Sequence, residues 1–236
     1  MKVEVSLTPA VYPHRTITAP HVTVAIDLLR ATTAVCAAFH AGCEAIVPLD
    51  TLEGIDRYRT LGYAIAAERN GAKVDAAEYG NSPTEYLRHD MTGVRLAYST
   101  TNGTISILRS ADAAVSLIGC FANLSALCSR LRQEAMDVVL LCSGWKNDFC
   151  IEDTLVAGAV IEKLITLHSP LTIVGDAANM ALDLWQLAKD NPYAYCEKAS
   201  HVHRLQRFGA EADIQFAFQQ DTCPVVPVLH NGILTL

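Results

Sequence analysis

The sequence predicts a three-layer α/β/α fold. Its sheet is expected to be mainly parallel, with a mixed sheet left open. Short apolar runs typical of buried strands alternate along the chain with segments of helical periodicity. At three places such a run ends directly on polar residues, and a helix begins a few residues later. Residues 1–236 are therefore expected to form a single unit. Two related α/β halves remain open, because no linker marks a boundary.

The first of these three joints follows a predicted strand over residues 22–26. Asp27 and Arg30 come directly after it, and the pattern then favours a helix over 33–41 with Thr32 or Thr33 as its N-cap. In open α/β sheets ligands bind beyond the carboxyl ends of the strands, where helix N-termini carry partial positive charge. Asp27 is placed to hold a cation and Arg30 an anion. The alternative is that both are solvated loop residues and Thr33 is only a cap.

Two further joints repeat the arrangement, which makes a shared ligand site the better interpretation. A predicted strand over 94–98 runs into Ser99, Thr100, Thr101, Asn102, Gly103 and Thr104 before a helix over 105–109. A third strand, over 138–142, enters Ser143 and Gly144, after which Glu152, Asp153 and Thr154 open a long apolar helix. We expect the three joints to meet at one edge of the sheet.

The remaining elements follow from the same patterns. Strands are predicted over 3–7, 45–47, 63–66, 113–117, 171–174 and 225–229, and helices over 52–60, 122–132, 155–167 and 177–189. Ser82, Pro83 and Glu85 predict a helix start with a capping box, and Asp176 is expected to be an N-cap. Several short helices are expected over 192–220. The loop over 68–81 is long for such a fold, and loops of this length are usually functional or mobile.

Composition limits the classes of function. Hydrophobic residues make up 51% of the 236 positions and charged residues 18%, which indicates a globular protein. The formal charge of −7 disfavours a nucleic-acid partner. Eight cysteines without a C-x-x-C pair are expected to be core residues of a reduced compartment. The N-terminus has no apolar signal region and the helix over 155–167 is too short to span a bilayer, so we expect a cytoplasmic protein without a membrane partner.

Common catalytic motifs are absent from the sequence. It contains no G-x-G-x-x-G, no P-loop and no G-x-S-x-G, and no cysteine is followed six positions later by arginine. What remains is a set of carboxylates (Asp27, Glu68, Glu152 and Asp153) together with arginines, hydroxyls and amides near strand ends. Oxygen ligands of this kind suit a hard cation such as Mg²⁺ beside a bound polyanion.

Several stretches in order resemble one known family. They are IDLLRATTAV (26–35), AAERNG (66–71), GNSPTEY (80–86), STTNGT (99–104) and CSGWKNDFCIEDTLVAGA (142–159), with a longer match over 200–227. Their order and spacing resemble the 2-phosphosulfolactate phosphatases of coenzyme M biosynthesis. The resemblance implies an Mg²⁺-dependent α/β phosphatase that converts 2-phosphosulfolactate to sulfolactate and phosphate. A phosphatase for another small organic phosphate is the alternative.

The matched motifs also suggest roles for individual residues. Asp27, Glu68 and Asp153 are the expected Mg²⁺ ligands, with Glu152 as a further candidate and an unassigned carboxylate to orient the water. Together with Arg30, the first three form the expected catalytic set. The expected substrate contacts are Thr32, Thr33, Arg69, Asn81, Ser82, Thr100, Thr101, Asn102, Gly103, Thr104, Ser143, Gly144, His203 and Arg204.

Two rival functions use other features of the chain. His201 and His203 would bind Zn²⁺ as an H-x-H pair on a strand, but the segment is predicted to be helical, which turns the two side chains to opposite sides. A non-enzymatic anion-binding protein would keep the arginines and need no cluster of carboxylates. The expected partner is a small anionic phosphorylated substrate, and a homo-oligomer is left open.

Overall fold

Eleven strands pair in one sheet in the computed structural model, which describes residues 1–18, 20–167 and 170–236. Across the sheet their order is β5-β4-β6-β3-β11-β10-β7-β2-β8-β1-β9 once they are numbered along the chain. The strands are β1 (Lys2–Ser6), β2 (His21–Ile26), β3 (Ala45–Leu49), β4 (Ala64–Arg69), β5 (Ala72–Lys73), β6 (Arg95–Ser99), β7 (Val115–Gly119), β8 (Asp137–Cys142), β9 (Thr172–Val174), β10 (Val228–His230) and β11 (Ile233–Thr235).

Two parallel groups make up most of the sheet, and an antiparallel hairpin joins them. β4, β6 and β3 run parallel, as do β7, β2, β8, β1 and β9. The hairpin β10–β11 lies between β3 and β7 and pairs antiparallel with both. The predicted α/β class with a mainly parallel sheet is confirmed. The possible division into two related halves stays a prediction.

β2 lies between β7 and β8 inside the larger parallel group, and its burial reflects this position. All six of its residues are buried, which is typical of a parallel strand covered on both faces. Its last residue, Ile26, pairs with Gly119 at the end of β7 and with Cys142 at the end of β8. The loops that follow these three strands therefore leave the sheet at the same edge.

Ten α-helices within the described ranges flank the sheet. The long helix α6 packs against α5 and α7, and α4 packs on β2 and β3. The helices are α1 (Ala31–His40), α2 (Asp56–Thr60), α3 (Pro83–Tyr86), α4 (Gly103–Arg109), α5 (Leu124–Glu134), α6 (Ile151–Leu167), α7 (Asp176–Ala188), α8 (Pro192–Cys196), α9 (Ser200–Gln206) and α10 (Glu211–Ala217).

Helix starts were predicted with mixed success. Ser82 caps α3 as expected, because its side chain accepts a hydrogen bond from the backbone N–H of Glu85. The prediction of Thr32 or Thr33 as the cap of α1 is wrong: Arg30 is the N-cap, and both hydroxyls donate to carbonyls of the preceding loop. Asp176 is also not a cap. It is the first residue of α7, after Gly175 at φ +80°.

Other differences concern short elements. The helix predicted over 52–60 is formed only over Asp56–Thr60, and the loop predicted over 68–81 begins with the end of β4 and contains β5. One C-terminal strand was predicted, whereas the chain forms the two short strands of the hairpin. All eight cysteines are buried and unpaired, as expected of core residues. Within the described ranges, no helix is long and apolar enough to cross a bilayer.

Candidate active site

Asp27 is the first residue beyond β2, and the first turn of α1 folds around it. Its backbone N–H donates to Thr32 Oγ1 at 3.0 Å, and this hydroxyl donates back to the Asp27 carbonyl at 2.9 Å. One carboxylate oxygen, Oδ1, accepts the N–H of Ala31 at 3.1 Å. The side chain is only 7% exposed. The loop therefore holds a buried carboxylate with one oxygen engaged at the strand end.

The start of α4 lies directly against this carboxylate because residue 103 is glycine. A Cβ at Gly103 would lie 2.6 Å from Asp27 Oδ2 and closer still to the Cβ of Ala31. Separations this short do not occur for real Cβ atoms, so any side chain here would push the two loops apart. The second joint predicted from the sequence thus meets the first.

Glu68 ties a third strand end to the same place. It lies near the end of β4 and is buried. Its Oε1 accepts the N–H of Thr101 and its Oε2 accepts the N–H of Gly71, both at 2.6 Å. Each oxygen of this carboxylate therefore holds one loop of the site in position.

Two adjacent acidic residues enter from the first turn of α6. Asp153 accepts the N–H of Leu28 at 2.8 Å and that of Gly144 at 3.0 Å, so both of its oxygens hold loops. Glu152 is 1% exposed, and its Oε1 lies 2.9 Å from Nδ1 of His201. Its other oxygen, Oε2, is buried and has no hydrogen-bond partner in the described part of the chain. An unpaired buried carboxylate oxygen is costly, which indicates that a ligand completes this position.

The carboxylates perturb one another's proton affinities. Burial, aided by the negative charges of Glu68 and Glu152, raises the pKa of Asp27 to about 6 despite the opposing effects of His201 and of the hydrogen bond from Ala31. Burial likewise raises the pKa of Asp153 well above its ordinary value, with added contributions from Asp27 and Glu152. Clusters that destabilise their own charges in this way are common at functional sites.

Arg30 is held rigidly at the edge of the same cleft. Its Nη1 donates to Asp213 Oδ2 and its Nη2 to the carbonyl of Gly71, each at 2.8 Å. Asp213 is buried on α10 and accepts hydroxyls of Ser82 and Thr84 at 2.7 and 2.6 Å with its other oxygen. Sequence analysis missed Asp213. The one available signal is an acidic residue next to Ile214, inside the longest matched stretch of the chain.

A small, partly open cleft lies beside Asp27, Glu68 and Arg30. The lining is mostly polar and combines carboxylates, amides and a guanidinium with one indole ring and two leucines. It consists of Asp27, Leu29, Arg30, Glu68, Gly71, Asn81, Asn102, Trp145, His201 and Leu205.

Trp145 lines this cleft, and the sequence analysis did not name it. The predicted substrate contact Arg204 lies next to it. The guanidinium of Arg204 stacks over its ring at 3.7 Å from the centroid, and the His201 ring lies 5.2 Å from it on α9. Arg204 Nη1 is buried and receives no hydrogen-bond acceptor from the described residues. A buried cationic N–H without a partner is suited to an anionic ligand.

Several other residues predicted to contact the substrate form hydrogen bonds with neighbouring residues. Arg69 is engaged with Ser99, donating to its Oγ at 2.9 Å. Asn81 lines the cleft and accepts the hydroxyl of Tyr98. The hydroxyls of Thr100 and Thr104 each accept the other residue's N–H, which closes the turn before α4.

The remaining positions support loops or face solvent. Thr101 Oγ1 accepts the N–H of Asn70, and Gly144 turns the third loop at φ +60°. Ser143 Oγ is buried, with no hydrogen-bond partner among the residues that the structure describes. The predicted helical conformation of the H-x-H segment is confirmed, and it leaves His201 buried but His203 exposed. The two histidines therefore do not form a pair.

Comparison with known proteins agrees with the resemblance noted in the sequence. A sequence model of the family described as 2-phosphosulpholactate phosphatase matches residues 7–232. Three similar proteins are each named "Probable 2-phosphosulfolactate phosphatase". One from Caldanaerobacter subterraneus subsp. tengcongensis is 31% identical over 89% of this chain and 88% of its own. Those from Thermotoga petrophila and Picosynechococcus sp. are 33% and 34% identical, over 90% and 99% of this chain and 91% and 98% of their own.

The family match spans most of the chain, and the relatives align over nearly their whole length at more than 30% identity. The chain belongs to the 2-phosphosulpholactate phosphatase family of phosphoric monoester hydrolases.

Proposed function

We propose that this protein is an Mg²⁺-dependent phosphatase that hydrolyses 2-phosphosulfolactate to sulfolactate and inorganic phosphate. The observation that carries the proposal is a group of four buried, interacting carboxylates, Asp27, Glu68, Glu152 and Asp153. Two of them, Asp27 and Glu68, line a cleft together with Arg30. The names of the relatives supply the substrate.

The donor atoms fit a hard divalent cation. Glu152 Oε2 is buried without a partner from the described chain, and Asp27 uses only Oδ1 to hold its loop. Glu68 and Asp153 use both oxygens to accept backbone N–H groups. Carboxylate oxygens are the protein ligands that Mg²⁺ prefers. Asp27 and Glu152 would therefore hold the ion, and Glu152 moves ahead of the two residues that the sequence analysis placed before it.

A bound Mg²⁺ would supply charge neutralisation to a phosphate group, as metal ions do in other phosphatases. The chain's own residues would position the substrate. Arg30 presents a guanidinium that two hydrogen bonds already fix in place, so little conformational entropy is lost when it binds a phosphate oxygen. Glu68 also lines the cleft and would keep the loops of Gly71 and Thr101 in place around the substrate. Alignment and electrostatic stabilisation account for phosphoryl transfer without a covalent enzyme intermediate.

Arg204 would recognise a second acidic group of the substrate. Its stacking on Trp145 fixes the guanidinium plane, and its buried Nη1 has no acceptor within the described ranges. A sulfonate or carboxylate on the same small molecule would provide that acceptor. This arrangement favours a multiply charged substrate over a simple phosphate monoester.

The two alternatives predict different results in one experiment. Phosphate release would be measured with Mg²⁺ for 2-phosphosulfolactate, for a phosphorylated 2-hydroxy acid without the sulfonate, and for a simple alkyl phosphate. We expect kcat/KM to be at least about tenfold higher for 2-phosphosulfolactate, equivalent to about 1.4 kcal/mol. Equal values across the panel would indicate a general organic phosphatase. Tight binding without phosphate release would indicate an anion-binding protein.

A further inference from the structure

A second set of potential metal ligands lies at the start of α6. Cys150 immediately precedes the helix, Glu152 is in its first turn, and His201 reaches them from α9. One ligand atom from each residue lies within 4.8 Å of the other two, and all three side chains are buried. This set shares only Glu152 with the predicted magnesium ligands, and it differs from the H-x-H pair considered in the sequence.

We propose that Cys150, Glu152 and His201 form a binding site for one thiophilic divalent cation, with Zn²⁺ as the representative ion. Thiolate, carboxylate and imidazole are the three protein ligand types that bind Zn²⁺, at about 2.0 to 2.3 Å. Contraction of the observed cluster by about an ångström would bring the three atoms to tetrahedral spacing. A sulfur ligand disfavours Mg²⁺, so this site selects a different class of ion.

The state of Glu152, which also supports the proposed magnesium site, points to a cation at this position. Its Oε2 is buried and accepts no hydrogen bond from any described residue, whereas Oε1 lies beside His201 Nδ1. Leaving a buried carboxylate oxygen unpaired costs free energy that a bound cation would recover. The charge of a cation suits this position because, among the described residues, no arginine or lysine forms an ion pair with Glu152; its side-chain neighbours in the cluster are His201 and Cys150.

Cys150 is suited to a role as ligand and poorly suited to one as a free nucleophile. Its thiol is buried within ligand distance of Glu152 and His201 and does not face solvent, where a substrate could reach it. Cation binding would replace the proton of the thiol. The Cys150 S–H bond breaks, a sulfur–metal bond forms, and the proton passes to solvent. Two protein anions and one divalent cation then leave the buried cluster neutral.

The Co²⁺-substituted protein gives a direct test, because a thiolate bound to Co²⁺ produces a charge-transfer absorption in the near ultraviolet. The full-length wild-type protein is expected to bind one Co²⁺ with this absorption and to lose it on titration with one equivalent of Zn²⁺. Cys150→Ser should remove the absorption and weaken Zn²⁺ binding by at least about tenfold, the effect of about 1.4 kcal/mol.

Two further variants serve as a control and as a second test of the ligand set. Cys43→Ser changes another buried cysteine, on the loop before β3, and should retain both the absorption and the Zn²⁺ affinity. His201→Gln leaves the thiol in place and should weaken binding even if Cys150→Ser fails to fold. The proposal is refuted if the wild-type protein shows no charge-transfer absorption or if the absorption survives in Cys150→Ser. None of these measurements uses phosphatase activity, so their failure would leave the proposed function unaffected.

Discussion

Replacing Asp27 with asparagine should stabilise the metal-free protein and abolish Mg²⁺-dependent turnover. Burial and the nearby charges of Glu68 and Glu152 raise the pKa of Asp27 to about 6. Keeping the carboxylate ionised in the folded state therefore costs about 1.4 kcal/mol for each pKa unit, or about 3 kcal/mol in all. Asparagine removes this cost, and its Oδ1 can still accept the N–H of Ala31. It also removes a charged ligand that a hard cation requires.

The sign of the pH dependence follows from the direction of the shift. The folded-state pKa of Asp27, about 6, lies above the ordinary value near 4, so the folded protein binds this proton more tightly between those values. Wild-type stability therefore falls as pH rises from about 4 to about 6. The advantage of Asp27→Asn should be near zero below pH 4. Above pH 6 it should reach about 3 kcal/mol, or about 6–12 °C in Tm for a chain of this size.

Thermal unfolding in the presence of a chelator, followed from pH 4 to pH 8, measures this difference. Asp153→Asn is the matched control, because both Asp153 oxygens accept backbone N–H groups, from Leu28 and Gly144. Its new NH₂ group would face one of those donors, at a cost of about 1–3 kcal/mol. Because burial and the charges of Asp27 and Glu152 also raise the pKa of Asp153, this cost offsets an electrostatic gain, and Asp153→Asn should gain less stability than Asp27→Asn. A Tm difference for Asp27→Asn that does not change with pH would refute the electrostatic reasoning. A destabilised variant with normal turnover would refute the assignment of Asp27.

Three further substitutions test the cleft. Gly103→Ala should abolish turnover and cost about 1–3 kcal/mol, because its Cβ would lie 2.6 Å from Asp27 Oδ2, while Gly80→Ala, with no neighbour nearer than 3.4 Å, should retain stability and activity. Arg30→Lys should lower kcat/KM by at least about tenfold, since one ammonium group cannot replace a planar guanidinium that binds an oxyanion through two N–H groups. Unchanged kinetics would show that Arg30 has only a structural role. Arg204→Gln should raise KM for a sulfonate-bearing substrate more than it lowers kcat, with little change in Tm. Steady-state kinetics with 2-phosphosulfolactate and with a phosphorylated 2-hydroxy acid that lacks the sulfonate would measure this difference.

Sequence patterns predicted the parts of the site that depend on local order. Asp27 and Ser143 directly follow buried apolar runs, and those runs end at one edge of the sheet because β2 and β8 are parallel and in register. The alternation of strands and helices was enough to predict both the α/β class and the meeting of the three joints. Periodicity was less informative for the hairpin β10–β11, whose three-residue strands are too short to show a pattern.

Contacts between distant segments could not be predicted in this way. Asp213 pairs with Arg30 across 183 residues of sequence, and nothing near either residue indicates the other. The sequence also could not show which carboxylates have oxygens available for a metal ion. Glu68 and Asp153 looked like the better metal ligands, but only the structure shows that their oxygens hold backbone N–H groups, whereas Glu152 keeps an oxygen without a partner from the described chain. The roles of these residues in catalysis stay a prediction.

The central claim is that the cleft around Asp27 is a magnesium-dependent phosphatase site. Its most direct test measures phosphate release from 2-phosphosulfolactate by the purified protein, first after exhaustive treatment with a chelator and then after each metal is returned alone. The account predicts that turnover disappears with the chelator and is restored by Mg²⁺ in the wild type but not in Asp27→Asn. Full activity in the chelator, or restoration by Zn²⁺ but not by Mg²⁺, would contradict it.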